Sequence, residues 1–99
     1  MLKNKQERED FLMDNANWTL LYVKSSLCHR LLQLKLTKEF TIIRIDMISN
    51  YDKSYKPTGY FIIKNRNIYK PAGIFSNWIS LSQLINWLKD VEVDENEKK

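Results

Sequence analysis

The sequence of 99 residues contains only one cysteine, one histidine, two glycines and two prolines. The lone Cys28 excludes a disulfide within the chain, which favours a reduced, intracellular setting. A metal site needs three or four convergent ligands, so Cys28 and His29 do not supply a usual sulfur or imidazole set. Gly59 and Gly73 are too far apart for a glycine-rich phosphate loop. The sequence therefore predicts no bound metal and no cofactor.

Long hydrophobic runs are also missing. No stretch approaches the roughly 18 apolar residues of a membrane span, and the N-terminus has no apolar core of a secretory signal. A chain of 99 residues with 43% apolar content is typical of a single domain. We expect one cytoplasmic domain over 1–99 with no membrane partner. It would comprise a charged segment over 1–16, a globular core over 17–91 and a disordered tail over 92–99.

Positive charge is concentrated in the middle of the chain. Residues 24–70 contain ten basic and three acidic residues, a net charge of +7, whereas the whole chain carries +4. The two ends are therefore mildly acidic. A basic central region is typical of a surface that faces a polyanion, although it is also compatible with an ordinary solvated surface.

The clearest local signal is an amphipathic helix over 79–91. Ser80 and Gln83 have the spacing of a capping box, and Ile79 precedes the cap as a hydrophobic staple residue would. At about 100° per residue the apolar side chains share one broad side. They are Leu81, Leu84, Ile85, Trp87, Leu88 and Val91. Asn4 and Glu7 form a similar pair, which predicts a short N-terminal helix.

Between these helices, β-branched and aromatic residues predict strands separated by polar turns. The expected strands are 18–24, 27–36, 40–48, 59–64 and 68–70, with a loop over 49–59. The fold class is therefore α+β, an antiparallel meander of about five strands with one C-terminal helix packed on one face. Two-residue turns at 25–26 and 37–38 would set the register of the first three strands.

This register predicts which residues share a face of the sheet. Leu32 would oppose Ile43, and Arg30 would oppose Ile45. The expected core face, beneath the C-terminal helix, comprises Leu21, Val23, Cys28, Leu32, Leu34, Leu36, Ile43, Ile45 and Met47. The other face is mixed and comprises Trp18, Leu20, Tyr22, His29, Leu31, Gln33, Phe40, Ile42, Arg44 and Asp46.

His29 would lie opposite Tyr22 and Asp46 on that mixed face. A His–Asp pair is one part of a catalytic triad, but no nucleophile with an oxyanion site accompanies it. Cys28 would point to the opposite face and so would not meet His29. We interpret His29 as a structural residue and predict a protein without enzymatic activity.

Aromatic and basic residues alternate over 51–70, which contains four of the five tyrosines. Aromatic rings stack on unpaired bases, while lysine and arginine neutralise phosphates. The pattern predicts a surface for single-stranded nucleic acid or a nucleoprotein, formed by Lys53, Tyr55, Lys56, Tyr60, Lys64, Arg66 and Lys70. The simpler interpretation is that Tyr60 and Tyr69 pack across a hairpin while the lysines provide solubility.

The runs Tyr69-Lys70-Pro71-Ala72-Gly73-Ile74 and Ile79-Ser80-Leu81, with the helix over 84–88, are similar to the end of the transcriptional-coactivator family of single-stranded-DNA binders. That family has four antiparallel strands and a C-terminal helix. The similarity covers roughly twenty residues and is interrupted by residues 75–78. It implies that Lys64, Arg66 and Lys70 face the DNA strand.

A protein-binding module is the alternative. The chain resembles, in size and composition, accessory proteins of phages and mobile elements, some of which inhibit host defence factors. The mixed face has the aromatic and arginine content of an interaction hot spot. Its candidate residues are Trp18, Tyr22, Leu31, Phe40 and Arg44. The N-terminal segment or a second copy of the chain, in a homodimer, would be equally suited to cover this face.

Overall fold

The structure is a computed structural model that describes residues 4–24, 29–71, 73–74 and 76–91. Its elements are α1 (Lys5–Met13), a 3₁₀ helix (Asn15–Asn17), β1 (Thr19–Lys24), β2 (His29–Lys35), β3 (Phe40–Ile48), β4 (Tyr55–Lys64), β5 (Asn67–Tyr69) and α2 (Leu81–Leu88). The five strands form one antiparallel sheet in chain order. The predicted α+β meander with a C-terminal helix is therefore confirmed. The turn at 25–26, Cys28 and the tail over 92–99 lie outside the described residues.

The start of α2 follows from its own sequence. The Ser80 hydroxyl accepts from the Gln83 N–H at 3.2 Å, and the Gln83 side chain accepts from the Ser80 N–H at 2.9 Å. This capping box satisfies amide groups that have no partner within the helix. The helix ends at Leu88, three residues before the predicted end at Val91.

The N-terminal helix α1 packs beside α2. Its first turn is capped by Asn4, whose side chain accepts from the Glu7 N–H at 2.8 Å. The Arg8 guanidinium donates to the Ile85 carbonyl at 3.0 Å, near the C-terminal end of α2, where carbonyls lack helical partners. The Trp18 indole donates to the Leu12 carbonyl at 2.8 Å at the end of α1. Both helices therefore have tertiary partners for their terminal carbonyls.

The predicted register of β2 and β3 is wrong by one residue. Leu32 pairs with Arg44 rather than Ile43, and Arg30 pairs with Asp46 rather than Ile45. The connection spans residues 36–39 instead of two residues, and the Thr37 hydroxyl accepts from the backbone of Phe40 at 3.0 Å. Because side chains alternate along a strand, this shift exchanges the two faces of β3.

The strand β4 also begins earlier than predicted, at Tyr55 instead of residue 59. Pro57 lies within it, where the pairing with β3 shifts between Ile45 and Asp46. A bulge tolerates proline because the regular ladder of hydrogen bonds is already interrupted there. The predicted loop over 49–59 is therefore correct only in its first half.

The core lies between the helices and one side of the sheet, the covered face. Its buried residues are Leu12, Trp18, Leu32, Leu34, Leu36, Ile42, Tyr60, Ile62, Ile79, Leu84, Ile85 and Leu88. Of the predicted core face, Leu32, Leu34 and Leu36 are buried as expected. Leu21, Val23 and Met47 are instead exposed, and Ile43 and Ile45 lie half-buried on the opposite side of the sheet.

Candidate binding surfaces

The side of the sheet away from the helices is apolar, and we call it the open face. The pairings Leu31 with Ile45, Ile43 with Phe61, and Ile63 with Ile68 place these side chains on it. The apolar residues of the open face are Tyr22, Leu31, Ile43, Ile45, Met47, Phe61, Ile63, Ile68 and Trp78. Tyr22, Met47 and Ile68 are exposed, and neither described helix packs on this side. A continuous apolar surface on a small domain is typical of an interaction site.

Trp78 reaches the open face from the segment that leads into α2. A Cβ atom built on Gly59 would overlap the Trp78 indole, so glycine is required where the ring crosses β4. The indole meets the Phe61 ring edge-on, with centroids 5.2 Å apart. Backbone hydrogen bonds of 2.9 and 3.0 Å between Ile79 and Tyr60 hold the segment against the strand. The chain thus places a partly exposed tryptophan beside the apolar strands.

A hollow of about 230 Å³ lies beside this tryptophan. It is lined by Tyr22, His29, Arg30, Leu31, Ile45, Met47 and Trp78. Most of this lining is apolar and belongs to the open face. The hollow is large enough for one large apolar side chain. Interaction surfaces usually hold an anchor residue of the partner in a pocket of this kind.

The structure separates the five residues predicted for protein binding. Tyr22 and Leu31 lie on the open face, but Trp18 and Arg44 are buried on the covered face. Phe40 also lies on the covered side, where its ring packs edge-on against Trp87, with centroids 5.0 Å apart. The open face therefore includes residues that the predicted register had assigned to the core, namely Ile43, Ile45 and Met47.

One signal for this surface is present in the sequence, because Ile43, Ile45 and Met47 alternate along β3. That alternation shows which residues share a face, but not which face the helices cover.

Arg44 and Asp46 form a buried ion pair beneath the helices. Arg44 donates to the Asp46 carboxylate at 2.8 and 3.0 Å, and Arg30 donates to the same group at 2.7 Å. Asp46 is fully buried, and Arg44 is 2% exposed. Arg44 also donates to the Asn15 side chain at 3.1 Å and lies over the Trp18 ring at 5.0 Å. This network joins β2 and β3 to the segment that follows α1.

The residues predicted for nucleic-acid binding fall into two groups at opposite ends of β4. Lys53, Tyr55 and Lys56 lie at its start, whereas Lys64 and Arg66 lie at or just beyond its end, and Lys70 follows β5, which runs back along β4 as far as Ile62. Ten residues of strand separate these ends by roughly 30 Å.

Neither predicted stacking ring is free. Tyr60 is buried in the core, where burial raises the pKa of its hydroxyl above the ordinary value. Tyr55 is half-buried and has the Arg30 guanidinium 4.4 Å from its ring centroid.

The turn before β4 presents a fully exposed tyrosine, Tyr51. The Asp52 carboxylate holds this turn by accepting from the Ser54 hydroxyl at 2.7 Å and the Ser54 N–H at 3.1 Å. Lys56 lies 3.4 Å from Asp52. These hydrogen bonds, with a smaller contribution from the Lys56 charge, lower the pKa of Asp52 from 3.8 to about 2. Tyr51 is thus exposed in a turn whose sequence also contains Lys53, and Lys56 follows the turn in β4.

We expect the Asp52 turn to lose its contribution to stability only in strong acid. Because the folded-state pKa is depressed, this contribution is present above pH 3.8 and is lost as the pH falls through about 2. The titration of the Asp52 carboxyl, followed by NMR, should have a midpoint near 2 in the wild type and shift upward in Ser54→Ala. A midpoint that does not change in Ser54→Ala would contradict the role of these hydrogen bonds.

The predicted pairing of His29 with Tyr22 and Asp46 is wrong. His29 pairs with Lys24 and Met47 and lies on the open face, whereas Asp46 lies on the covered face beside Arg30 and Arg44. Among the described residues, no group of three or more histidine, cysteine, aspartate or glutamate side chains is arranged to hold a metal ion. Within the same residues, neither helix has the length and apolarity needed to cross a membrane.

No family model matches this chain, and no curated protein or solved structure is significantly similar to it. The function of this chain is therefore inferred from the open face and from the basic residues around β4.

Proposed function

We propose that this chain is a non-enzymatic binding protein that docks onto a partner protein through its open face. The observation that supports this most directly is the apolar surface opposite the helices, with its hollow and the partly exposed Trp78. Aromatic and aliphatic side chains around a small pocket are typical of the energetic centre of an interface.

The charges at the border of the open face indicate the kind of partner. Lys35 and Lys56 lie at its ends on β2 and β4, and His29 lies at the end of β2. Asp46, the only acidic residue in the five described strands, lies on the covered face. A basic border around an apolar centre complements a partner whose apolar patch is bordered by carboxylates.

We further propose that the chain acts in the cytoplasm, as the single cysteine suggested, and that its partner is a host defence factor. This part of the proposal depends on the general resemblance of the chain to accessory proteins of phages and mobile elements. In that role the protein would inhibit by occupying a surface that the defence factor needs. Catalysis by this chain has no part in the proposal.

Ile45→Asp is expected to weaken partner binding at least about thirtyfold, because it places a charge at the centre of the open face. Loss of a central hot-spot residue typically costs 2 kcal/mol or more. Trp78→Ala removes the exposed indole and is expected to weaken binding about tenfold or more. A partner captured from nuclease-treated bacterial lysate would be purified, and its affinity for each variant measured by calorimetry.

Ser82→Asp is the matched control, because Ser82 is exposed on α2 and lies away from the open face. Circular dichroism and thermal unfolding would establish that each variant keeps its fold. If Ile45→Asp is folded and binds the partner as tightly as Ser82→Asp does, docking through the open face is wrong.

Single-stranded nucleic acid is the second candidate, and the exposed Tyr51 beside Lys53 and Lys56 favours it. Removing one phosphate contact should reduce the slope of log affinity against log salt by about 0.7. Removing a stacked ring should cost about 1–3 kcal/mol with little change in that slope. Under this hypothesis Lys53→Ala and Lys56→Ala change the salt slope of oligonucleotide binding, whereas Tyr51→Ala changes the affinity alone.

The other basic group provides the comparison, because the family resemblance assigns DNA contacts to Lys64, Arg66 and Lys70. If the salt slope changes in Arg66→Ala and Lys70→Ala but not in Lys53→Ala and Lys56→Ala, the nucleic-acid site lies near Arg66 and Lys70. If the protein does not bind an oligonucleotide but does bind a nuclease-resistant partner, docking through the open face is the function that remains.

A further inference from the structure

The first strand of the sheet has an unusual outer edge. Within the part of the chain that the structure describes, β1 pairs with β2 alone, so one row of its backbone groups points away from the sheet. Four consecutive residues, 20–23, are large and apolar, and each is between 46% and 54% exposed. Leu20 and Val23 lie on the same side of the sheet as the helices but remain exposed, whereas Tyr22 belongs to the open face.

The opposite edge of the sheet is built differently. β5 has only three residues, and Pro71 follows it by two positions. Short edge strands and nearby prolines are common devices against edge-to-edge association. β1 has six residues, no proline and no acidic residue. Its bulge between Leu20 and Tyr22 adds local twist but leaves the apolar row exposed.

We propose that β1 pairs antiparallel with β1 of a second copy of this chain. A twofold axis between Leu21 and Tyr22 would place Leu21 opposite the Tyr22 of the other copy and Leu20 opposite its Val23. Thr19 would then lie opposite Lys24, so the Lys24 positions of the two copies would not be opposite each other. Every apolar residue of the strand acquires an apolar cross-strand neighbour, and both strands carry the same bulge and therefore the same twist.

Charge favours this arrangement over a dimer that joins the two open faces. Face-to-face packing would bring the basic ends of the sheet, at Lys35 and Lys56, against basic ends of the second copy. Asp46, the one acidic residue of the described strands, is buried on the covered face, and the exposed Asp52 carboxylate, 3.4 Å from Lys56, offsets this repulsion only at that end of the sheet. Edge pairing instead leaves both open faces on the same side of one ten-stranded sheet. It shares Tyr22 with the open face, but Leu20 and Val23 lie on the opposite side of the sheet, so variants at those two residues test edge pairing without changing the open face.

Sedimentation velocity of the purified chain over a hundredfold range of concentration tests the proposal. The wild type is expected to be dimeric, and the double variant Leu20→Lys/Val23→Lys to dimerise at least about tenfold more weakly, because the new charges would face each other across the strand pair. Met13→Lys is the matched control, since Met13 is as exposed as these residues but lies on α1. This control and Ile45→Asp should both remain dimeric.

Hydrogen exchange provides a second readout that does not depend on mass. Outward-facing amides within 19–24 should exchange more slowly in the wild type than in the double variant. A wild type that stays monomeric at every concentration would overturn the proposal. A dimer that Ile45→Asp disrupts and the double variant does not would also overturn it, because that result identifies the open face as the contact.

Discussion

Replacing Asp46 with alanine is expected to lower the free energy of unfolding by about 3–5 kcal/mol, the usual result of removing one partner of a buried ion pair. The carboxylate is fully buried and accepts three hydrogen bonds from Arg30 and Arg44. Without it, the Arg44 guanidinium would remain in the core with the Asn15 side chain as its hydrogen-bond acceptor among the described residues.

Urea unfolding of Asp46→Ala and of Asp52→Ala would measure this effect against a matched control. Asp52 is also an ion-paired aspartate, but its side chain is 55% exposed and Lys56 lies 3.4 Å away in solvent. Exposed pairs of this kind typically contribute little to stability, because water and salt screen them. Similar losses in the two variants would mean that Asp46 is not the centre of a buried network.

The double variant Arg44→Met/Asp46→Leu separates charge compensation from packing. Replacing a buried ion pair with apolar side chains of similar volume is often neutral or stabilising. Here Arg30 is 27% exposed and can turn towards water when its acceptor is removed. We therefore expect the double variant to recover most of the stability that Asp46→Ala loses. A double variant as unstable as Asp46→Ala would show that the loss comes from the shape of the core.

Leu84→Ala is expected to cost about 2–5 kcal/mol, because it removes a large side chain from the centre of the contact between α2 and the sheet. Leu84 has no exposed surface and belongs to the same core cluster as Leu12, Ile62 and Ile79. The capping box at Ser80 holds the start of the helix, so the side chains around Leu84 have little freedom to close the cavity. Thermal and urea unfolding would measure the change.

Leu20→Ala is the control for this prediction, since it makes the same substitution at a residue that is 54% exposed. A surface change of this kind usually alters stability by about 0.5 kcal/mol or less. The measurement should be made at a concentration at which the chain is monomeric, because Leu20 belongs to the proposed dimer edge. A loss below about 1 kcal/mol for Leu84→Ala would indicate that α2 is only loosely packed.

The position of the basic residues shows how much folding changes a sequence pattern. Over 51–70 the alternation of tyrosine and lysine is continuous in the chain. A strand of ten residues then places Lys53 and Arg66 near opposite ends of the sheet, and hydrophobic burial places Tyr60 in the core. Tyr51 is left exposed because it occupies the turn, where no element packs against it.

Features that depend on near neighbours in the chain could be predicted from the residues alone. The start of α2 follows from Ser80 and Gln83, three residues apart, and the cap of α1 follows from Asn4 and Glu7 in the same way. Alternating apolar residues separated by polar turns were sufficient for the meander, because adjacent antiparallel strands need only short connections. These interactions act within one turn of helix or one hairpin.

The choice of which face of the sheet became the core depended on contacts between residues that are far apart in the chain. Ile43, Ile45 and Met47 are as apolar as Ile42, so hydrophobicity did not distinguish the two faces of β3. The four-residue connection over 36–39 turned Arg44 and Asp46 towards the helices, where Arg30 and Asn15 satisfy them. Burial of Arg44 and Asp46 is compatible with folding because partners from other parts of the chain hydrogen-bond both groups. With these two residues under the helices, Ile43, Ile45 and Met47 lie on the side of the sheet that neither described helix covers.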